Sequence, residues 1–244
     1  MAHIEEFIDV DLAEPTLVEG LPGVGLVGKI AADHLVEELG MTEFAACRCE
    51  GLPDVAVYHE GSREVKAPVR VYADEARDLL VLQSDIPVSP SAAEEFAGCV
   101  TGWLAERDVT PVYLSGLPVE KEGVPGLYGI ATGAGGALLE EHGVSPPEES
   151  GLISGPTGAL VAEAGQQGVD GVALVVEASQ GFPDPEAARV ILTEAVEPIA
   201  GLEVDTDRLV EQADRIATAR ENLAERMQEA QDESTRAQPL GMYQ

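Results

Sequence analysis

Apolar runs of strand length alternate with stretches of helical periodicity along this chain, and that alternation predicts an α/β fold: a single layered domain on a mostly parallel sheet. Three observations carry the prediction. A short strand, a glycine turn and a helix follow one another between Thr16 and Leu39. Two runs, Leu79-Leu-Val-Leu-Gln-Ser-Asp85 and Val172 to Val176, are apolar almost throughout, as strands are when a sheet is covered on both faces. The stretches between them repeat apolar residues at helical spacing, as Ala92, Phe96, Cys99 and Trp103 do. The expected organisation is a body over 1–204, an amphipathic helix over 205–232 and a mobile tail over 233–244.

Taken in order, Leu17-Val-Glu19 reads as the first strand, and Gly20-Leu-Pro-Gly-Val-Gly-Leu-Val-Gly28 as a turn opening a helix with Ile30, Ala31, His34, Leu35 and Leu39. Gly23, Gly25 and Gly28 spell Gly-x-Gly-x-x-Gly, a pattern that can hold a phosphate at a helix N-terminus. Glycine's main service is steric permission, so the same glycines are read first as allowing sharp turning and close packing. Glu50, after the strand Phe44 to Cys49, is the acidic residue a dinucleotide site would use. The chain then departs from that plan, because Val55 to His59 and Val65 to Tyr72 alternate around Glu60-Gly61-Ser62 as a hairpin. Asp85 ends its strand where α/β sites lie, and is read either as catalytic or as a carboxylate orienting the loop Ile86-Pro87-Val88.

Ser89-Pro90 starts the next helix, with Trp103 on its core side. Thr110 to Leu114 is a strand closed by Gly116-Leu-Pro118, Leu127 to Ala131 is another, and Thr132 to Gly136 reads as a flexible link. His142 to Ser150 is a surface connection. Strand-like Leu152-Ile153 meets a second glycine turn, Ser154-Gly-Pro-Thr-Gly158, ahead of a helix from Ala159 to about Gln166. Pro183-Asp-Pro185 opens a helix through Val190, Ile191 and Ala195. From Asp205, the residues Leu209, Ala213, Ile216, Leu223, Met227 and Ala230 mark the apolar stripe of a long helix.

Forty-five Asp and Glu stand against 14 Lys and Arg, a formal charge of −31 spread along the whole chain. Nucleic acid and anionic membrane partners need basic patches and are therefore not expected. The lysine-poor acidity matches a cytoplasmic protein of a high-salt cell, where a Debye length of ~3 Å at about 1 M salt screens self-repulsion. No apolar run reaches the roughly 18 residues of a membrane span, and the first residues lack the pattern of a signal peptide. Three cysteines are too few for a disulfide scaffold, and Cys47 and Cys49 are read as small buried side chains on one strand face. His3, His34, His59 and His142 have no ligand spacing, so no metal and no cofactor is assigned.

The glycine turn Gly20 to Gly28 with Ile30-Ala-Ala-Asp33, the segment Pro68-Val-Arg-Val-Tyr72, Gly155-Pro-Thr-Gly158 and Gly181-Phe-Pro-Asp-Pro185 together resemble the archaeal branch of the proteasome assembly chaperone family. The resemblance spans about residues 5 to 205. It implies an α/β sandwich related to nucleoside-phosphorylase-like folds, a homo-oligomer, and no need for ATP or a metal. The chain also ends Met242-Tyr243-Gln244, similar to the hydrophobic-Tyr-X terminus that proteasome activators insert between neighbouring α subunits of the 20S ring. Met242 offers a soft apolar contact, Tyr243 a ring with a hydroxyl, and Gln244 a terminal carboxylate for a lysine.

Three functions follow from the sequence. The first is an ATP-independent binding protein, without enzyme activity, that engages the proteasome α ring as an assembly chaperone or activator. The second is an enzyme that uses the glycine turns, Gly23, Gly25 and Gly28 with Gly155 and Gly158, for a nucleotide or phosphorylated substrate, in keeping with the ATP-grasp-like label that relatives carry. The third is a homo-oligomeric scaffold with another partner. Against the enzyme stand the missing Walker lysine and serine and the lack of any Ser-His-Asp or metal constellation by spacing.

Overall fold

A polar strand, β1 (His3–Glu6), lies at one margin of the sheet in the computed structural model, which describes residues 3–119 and 123–216. Then come β2 (Thr16–Gly20), a 3-10 turn at Val24–Leu26, α1 (Val27–Glu38), β3 (Thr42–Arg48), β4 (Val69–Asp74) and β5 (Leu79–Ser84). The chain continues through α2 (Ala93–Ala105), β6 (Thr110–Pro118), β7 (Leu127–Thr132), α3 (Gly136–Glu141), α4 (Gly155–Gln167) and β8 (Gly171–Ala178). α5 (Pro185–Ile191), a π-helical turn Leu192–Val196 and α6 (Glu197–Ala200) follow, and residues 207–216 are helical. The eight strands form one sheet in the order β1-β3-β4-β5-β2-β6-β8-β7.

Successive strand side chains face opposite ways, and here both faces are covered. Val18, Val81, Val112, Leu174 and Val176 join α1, α5 and Leu202 in one core. Leu17, Leu80, Leu82, Tyr113 and Ala173 join α2 and α4 in the other. That is why β5 and the Val172 to Val176 part of β8 read as apolar runs, whereas β1 keeps polar, exposed positions. Leu209 is buried in the first core, so the helix over 207–216 packs on the domain; Leu223, Met227 and Ala230 lie outside the described residues.

Several expectations are corrected. The sheet is mixed and not mostly parallel: among the described residues β2–β5, β2–β6 and β6–β8 are parallel, while β1–β3, β3–β4, β4–β5 and β7–β8 are antiparallel. Connection length is the reason. Only a few residues join β4 to β5, enough for a hairpin and far short of the dozen or so that a parallel crossover needs. The expected hairpin around Gly61 shrinks to one bridge, Val57 to Lys66, with Val55, Tyr58 and Val65 exposed. Arms that bury so little surface cannot repay longer pairing.

β6 runs on through Pro118, paired with β8. Thr132 to Gly136 is no loose link: Asp170 Oδ1 accepts from Ala134 N at 2.7 Å, and α3 begins at Gly136. Leu152-Ile153 forms no strand, and Gly155 to Gly158 is the first turn of α4 itself. Cys49 is bonded to Cys99, tying the end of β3 to the middle of α2, while Cys47 stays a buried thiol that burial pushes up to about 12. Spacing could not reveal the bridge, because its partners are 50 residues apart.

Candidate functional site

The parallel strands β5, β2, β6 and β8 end at one edge of the sheet, where α/β folds place their sites. The glycine turn sits at the end of β2. Gly25 has φ +62°, and a Cβ there would lie 3.1 to 3.3 Å from Ala178, Ser179 and Asp184. Asp184 N donates to Gly25 O at 2.8 Å, and the Asp184 carboxylate accepts from Ser179 N and Ala187 N, capping α5. The concave side of the turn is therefore occupied by the Gly181-to-Pro185 segment. Gly28 lets α1 approach β2, since its Cβ would fall 3.2 Å from Leu21 O, whereas Gly23 has open space. Gly20, which the motif does not include, is tighter: its Cβ would lie 2.0 Å from Ala32 Cβ and 2.9 Å from Gly28 O.

The second glycine turn meets the first through Glu19, which sequence reasoning passed over as a strand residue. Glu19 is fully buried; it accepts from Thr157 Oγ1 at 2.9 Å, Leu114 N at 3.1 Å and Leu21 N at 3.2 Å. One carboxyl thus ties β2, β6, the glycine turn and α4 together. Burial raises its pKa to about 7 against the pull of those three bonds. Gly155 has φ +70° with open space, and Gly158 allows close approach to Ile153 O. A buried Glu between two glycine turns is the signal that could have marked this junction.

Beside it lies a charged network. Arg70, wholly buried, donates to Asp85 Oδ2 and Gln83 Oε1 at 2.7 Å each, to Tyr72 Oη at 3.1 Å and to Ala67 O. Lys29 reaches both Asp33 and Asp85, Gln83 donates to Asp33, and His59 Nε2 lies 3.3 Å from Asp85 Oδ2. Burial pushes Asp85 up, but the Arg70 guanidinium and Lys29 outweigh it and hold the carboxyl below the usual carboxylate range. A buried guanidinium demands a counter-charge. Asp85 accordingly serves Arg70, and Ser84 Oγ, bonded to Ile86 O and Ile86 N, takes the loop-orienting role expected of Asp85.

Glu50 does not join the glycine turn. β3 is separated from β2 by β4 and β5, so the ribose position of a dinucleotide fold is absent from this topology. Among the described residues no group of three or more His, Cys, Asp or Glu side chains could hold a metal ion, and no helix is long and apolar enough to cross a membrane. Met242, Tyr243 and Gln244 lie outside the described residues.

Comparison with known proteins places the geometry. The crystal structure of PbaA from Pyrococcus furiosus, an archaeal homologue of proteasome-assembly chaperone, superimposes with TM-score 0.79 at 26% identity, covering 95% of this chain and 96% of that one. PbaB from the same organism, an archaeal proteasome activator, gives TM-score 0.78 at 28% identity over 91% and 98% of the two chains. An uncharacterized protein of Methanocaldococcus jannaschii is 25% identical over 233 residues, 95% of this chain and 94% of its own length. The model of the PAC2 family matches residues 17–224, from the strand before the glycine turn to beyond the Gly181-to-Pro185 segment, and the chain belongs to the PAC2 family.

Proposed function

We propose that this chain is an ATP-independent partner of the 20S proteasome, an assembly chaperone or activator that docks its C-terminus between α subunits and performs no reaction. The observation that carries the reading is the Met242-Tyr243-Gln244 terminus, of hydrophobic-Tyr-X form, on a chain of this family. Its relatives PbaA and PbaB, described as an assembly-chaperone homologue and a proteasome activator, support the partner. The body over 1–204, with its nucleoside-phosphorylase-like ancestry, supplies a rigid platform; residues 205–232 extend it and 233–244 reach the ring. Several tails on a homo-oligomer raise the effective concentration at neighbouring pockets, so a weak single contact becomes tight binding.

In this reading Gly23, Gly25, Gly28, Gly155 and Gly158 serve packing, and neither cofactor nor metal takes part. The filled concave side of the first turn supports that role. The charge of −31 fits the cytoplasm of a high-salt cell.

The test is capture of 20S α subunits in high salt by the full chain and by Tyr243→Ala. The variant is expected to keep its fold and lose at least tenfold in ring binding. Binding equal to the parent refutes tail docking, and saturable ATP binding by calorimetry, lost in a glycine-turn variant that still folds, would support an enzyme instead.

A further inference from the structure

Among the buried residues of α1, His34 alone has a polar side chain. It is 5% exposed, and its Nε2 lies 2.6 Å from the carbonyl oxygen of Asp205, 171 residues along the chain. A carbonyl oxygen only accepts, so the ring donates. The carbonyl it serves stands just before the helix over 207–216, whose first turn the Asp205 side chain shapes by accepting from Asp207 N at 2.9 Å.

Other contacts fix the same helix. Leu209 is buried in the core that contains Ala31 and Leu35 of α1, and Arg208 pairs with Glu37 at 3.0 Å and reaches Glu38. The chain leading to it is held as well. Leu202 is buried, and Glu197 accepts from Leu202 N through its carbonyl and from Val204 N through its carboxylate. The Arg208 pairs are largely exposed and add little. Apolar burial has no direction, whereas a hydrogen bond does. Leu209 therefore holds the helix down, and the His34 bond sets how it lies on α1.

This helix begins the segment that leads to Met242-Tyr243-Gln244. A tethered end meets its pocket at an effective concentration set by where the tether starts and how much of it is fixed. We infer that α1 is the seat that aims the C-terminus at the proteasome ring, with His34 as its positioning residue. Without the His34 bond, residues 205–216 are freed to join the tether, the end samples a larger volume, and each contact with the ring weakens. The inference rests on the tail-docking reading and adds the body residue that controls it.

The test uses the full chain in molar KCl and reads amide hydrogen exchange over 209–216 together with the affinity for 20S α rings. His34→Leu removes the donor, His34→Gln keeps one, and Tyr243→Ala reports on the tail itself. His34→Leu is expected to raise exchange over 209–216 at least tenfold, with β5 and β6 unchanged, and to weaken ring capture about threefold or more. His34→Gln is expected to stay within about twofold of the parent on both. Leu209→Ala, which loosens the same helix at its other contact, gives the same two readouts should His34→Leu fail to fold. If Tyr243→Ala loses capture while His34→Leu, with raised exchange, keeps it, the seat does not aim the tail and tail docking still stands. Unchanged exchange in His34→Leu overturns the inference, as does a His34→Gln that behaves like His34→Leu. Parent-like capture by Tyr243→Ala refutes tail docking and takes this inference with it.

Discussion

The two ends of the sheet's parallel strands are built from opposite chemistries. At the carboxyl edge, glycines let backbones touch at the end of β2, Glu19 and Arg70 are buried among their partners, and Leu26, Leu117 and Leu152 face outward. At the amino edge the turns are acidic, and the acids work by accepting backbone N–H groups. Asp78 holds Ala13 and Glu14, Glu75 holds Asp11, and Asp170 holds Ala134. A cleft of about 440 Å³ there is lined by Ile8, Asp9, Met41, Asp74 and Glu75 among others. A carboxylate that accepts N–H bonds can do so while hydrated, so the amino edge tolerates water. Backbone packed on backbone cannot, so a side chain is excluded at Gly20 of the carboxyl edge and also at Gly135 of the amino edge, where an added Cβ would lie 2.2 Å from Gly171 O.

The sharpest break in that contrast is Gly20→Val. Its branched side chain would enter space held by Ala32 and Gly28 O and force α1 off β2, at a cost of about 3 kcal/mol or more in denaturant unfolding. Cost below about 1 kcal/mol would mean that the helix and strand are not locked. Next comes Glu19. Its folded carboxyl stays protonated up to about pH 7, while the unfolded one releases its proton near the ordinary value of 4.5. Stability therefore falls as pH rises between those values, by about 3 kcal/mol, and levels off above. Glu19→Gln is expected to flatten that slope in unfolding curves taken across the window.

The amino edge gives the smallest single response. Arg77→Ala removes the exposed partner of Asp74, a mostly buried carboxylate that keeps its bond from Ala76 N, and should shift stability by less than about 1 kcal/mol. Raising KCl from about 0.1 to about 1 M, which shortens the Debye length from ~10 to ~3 Å, should raise the melting temperature of parent and Arg77→Ala alike. A flat response to salt would detach the acidity from stability.

Much of the carboxyl edge was legible in the residues. The glycine turn, the apolar runs of β5 and β8 and the buried Trp103 follow from local pattern, because strand and helix periodicities are properties of neighbouring residues. The antiparallel half was not legible, since a hairpin and a crossover begin with the same apolar run. The Cys49–Cys99 bridge, the pairing of Arg70 with Asp85 and the junction at Glu19 join residues 50, 15 and 138 apart, and no window on the sequence contains both partners.

By itself the sequence determined the central strands and the helices that cover them, though not β1 or α3, that both faces of the sheet are covered, and how acidic the chain is. Periodicity, composition and charge are counted along the chain and need no neighbours in space. Only the tertiary structure decided the strand order, the filling of the glycine turn by Asp184, and the meeting of the two glycine turns at Glu19. Those depend on which elements come to lie side by side, and that choice is made by burial of the whole core at once.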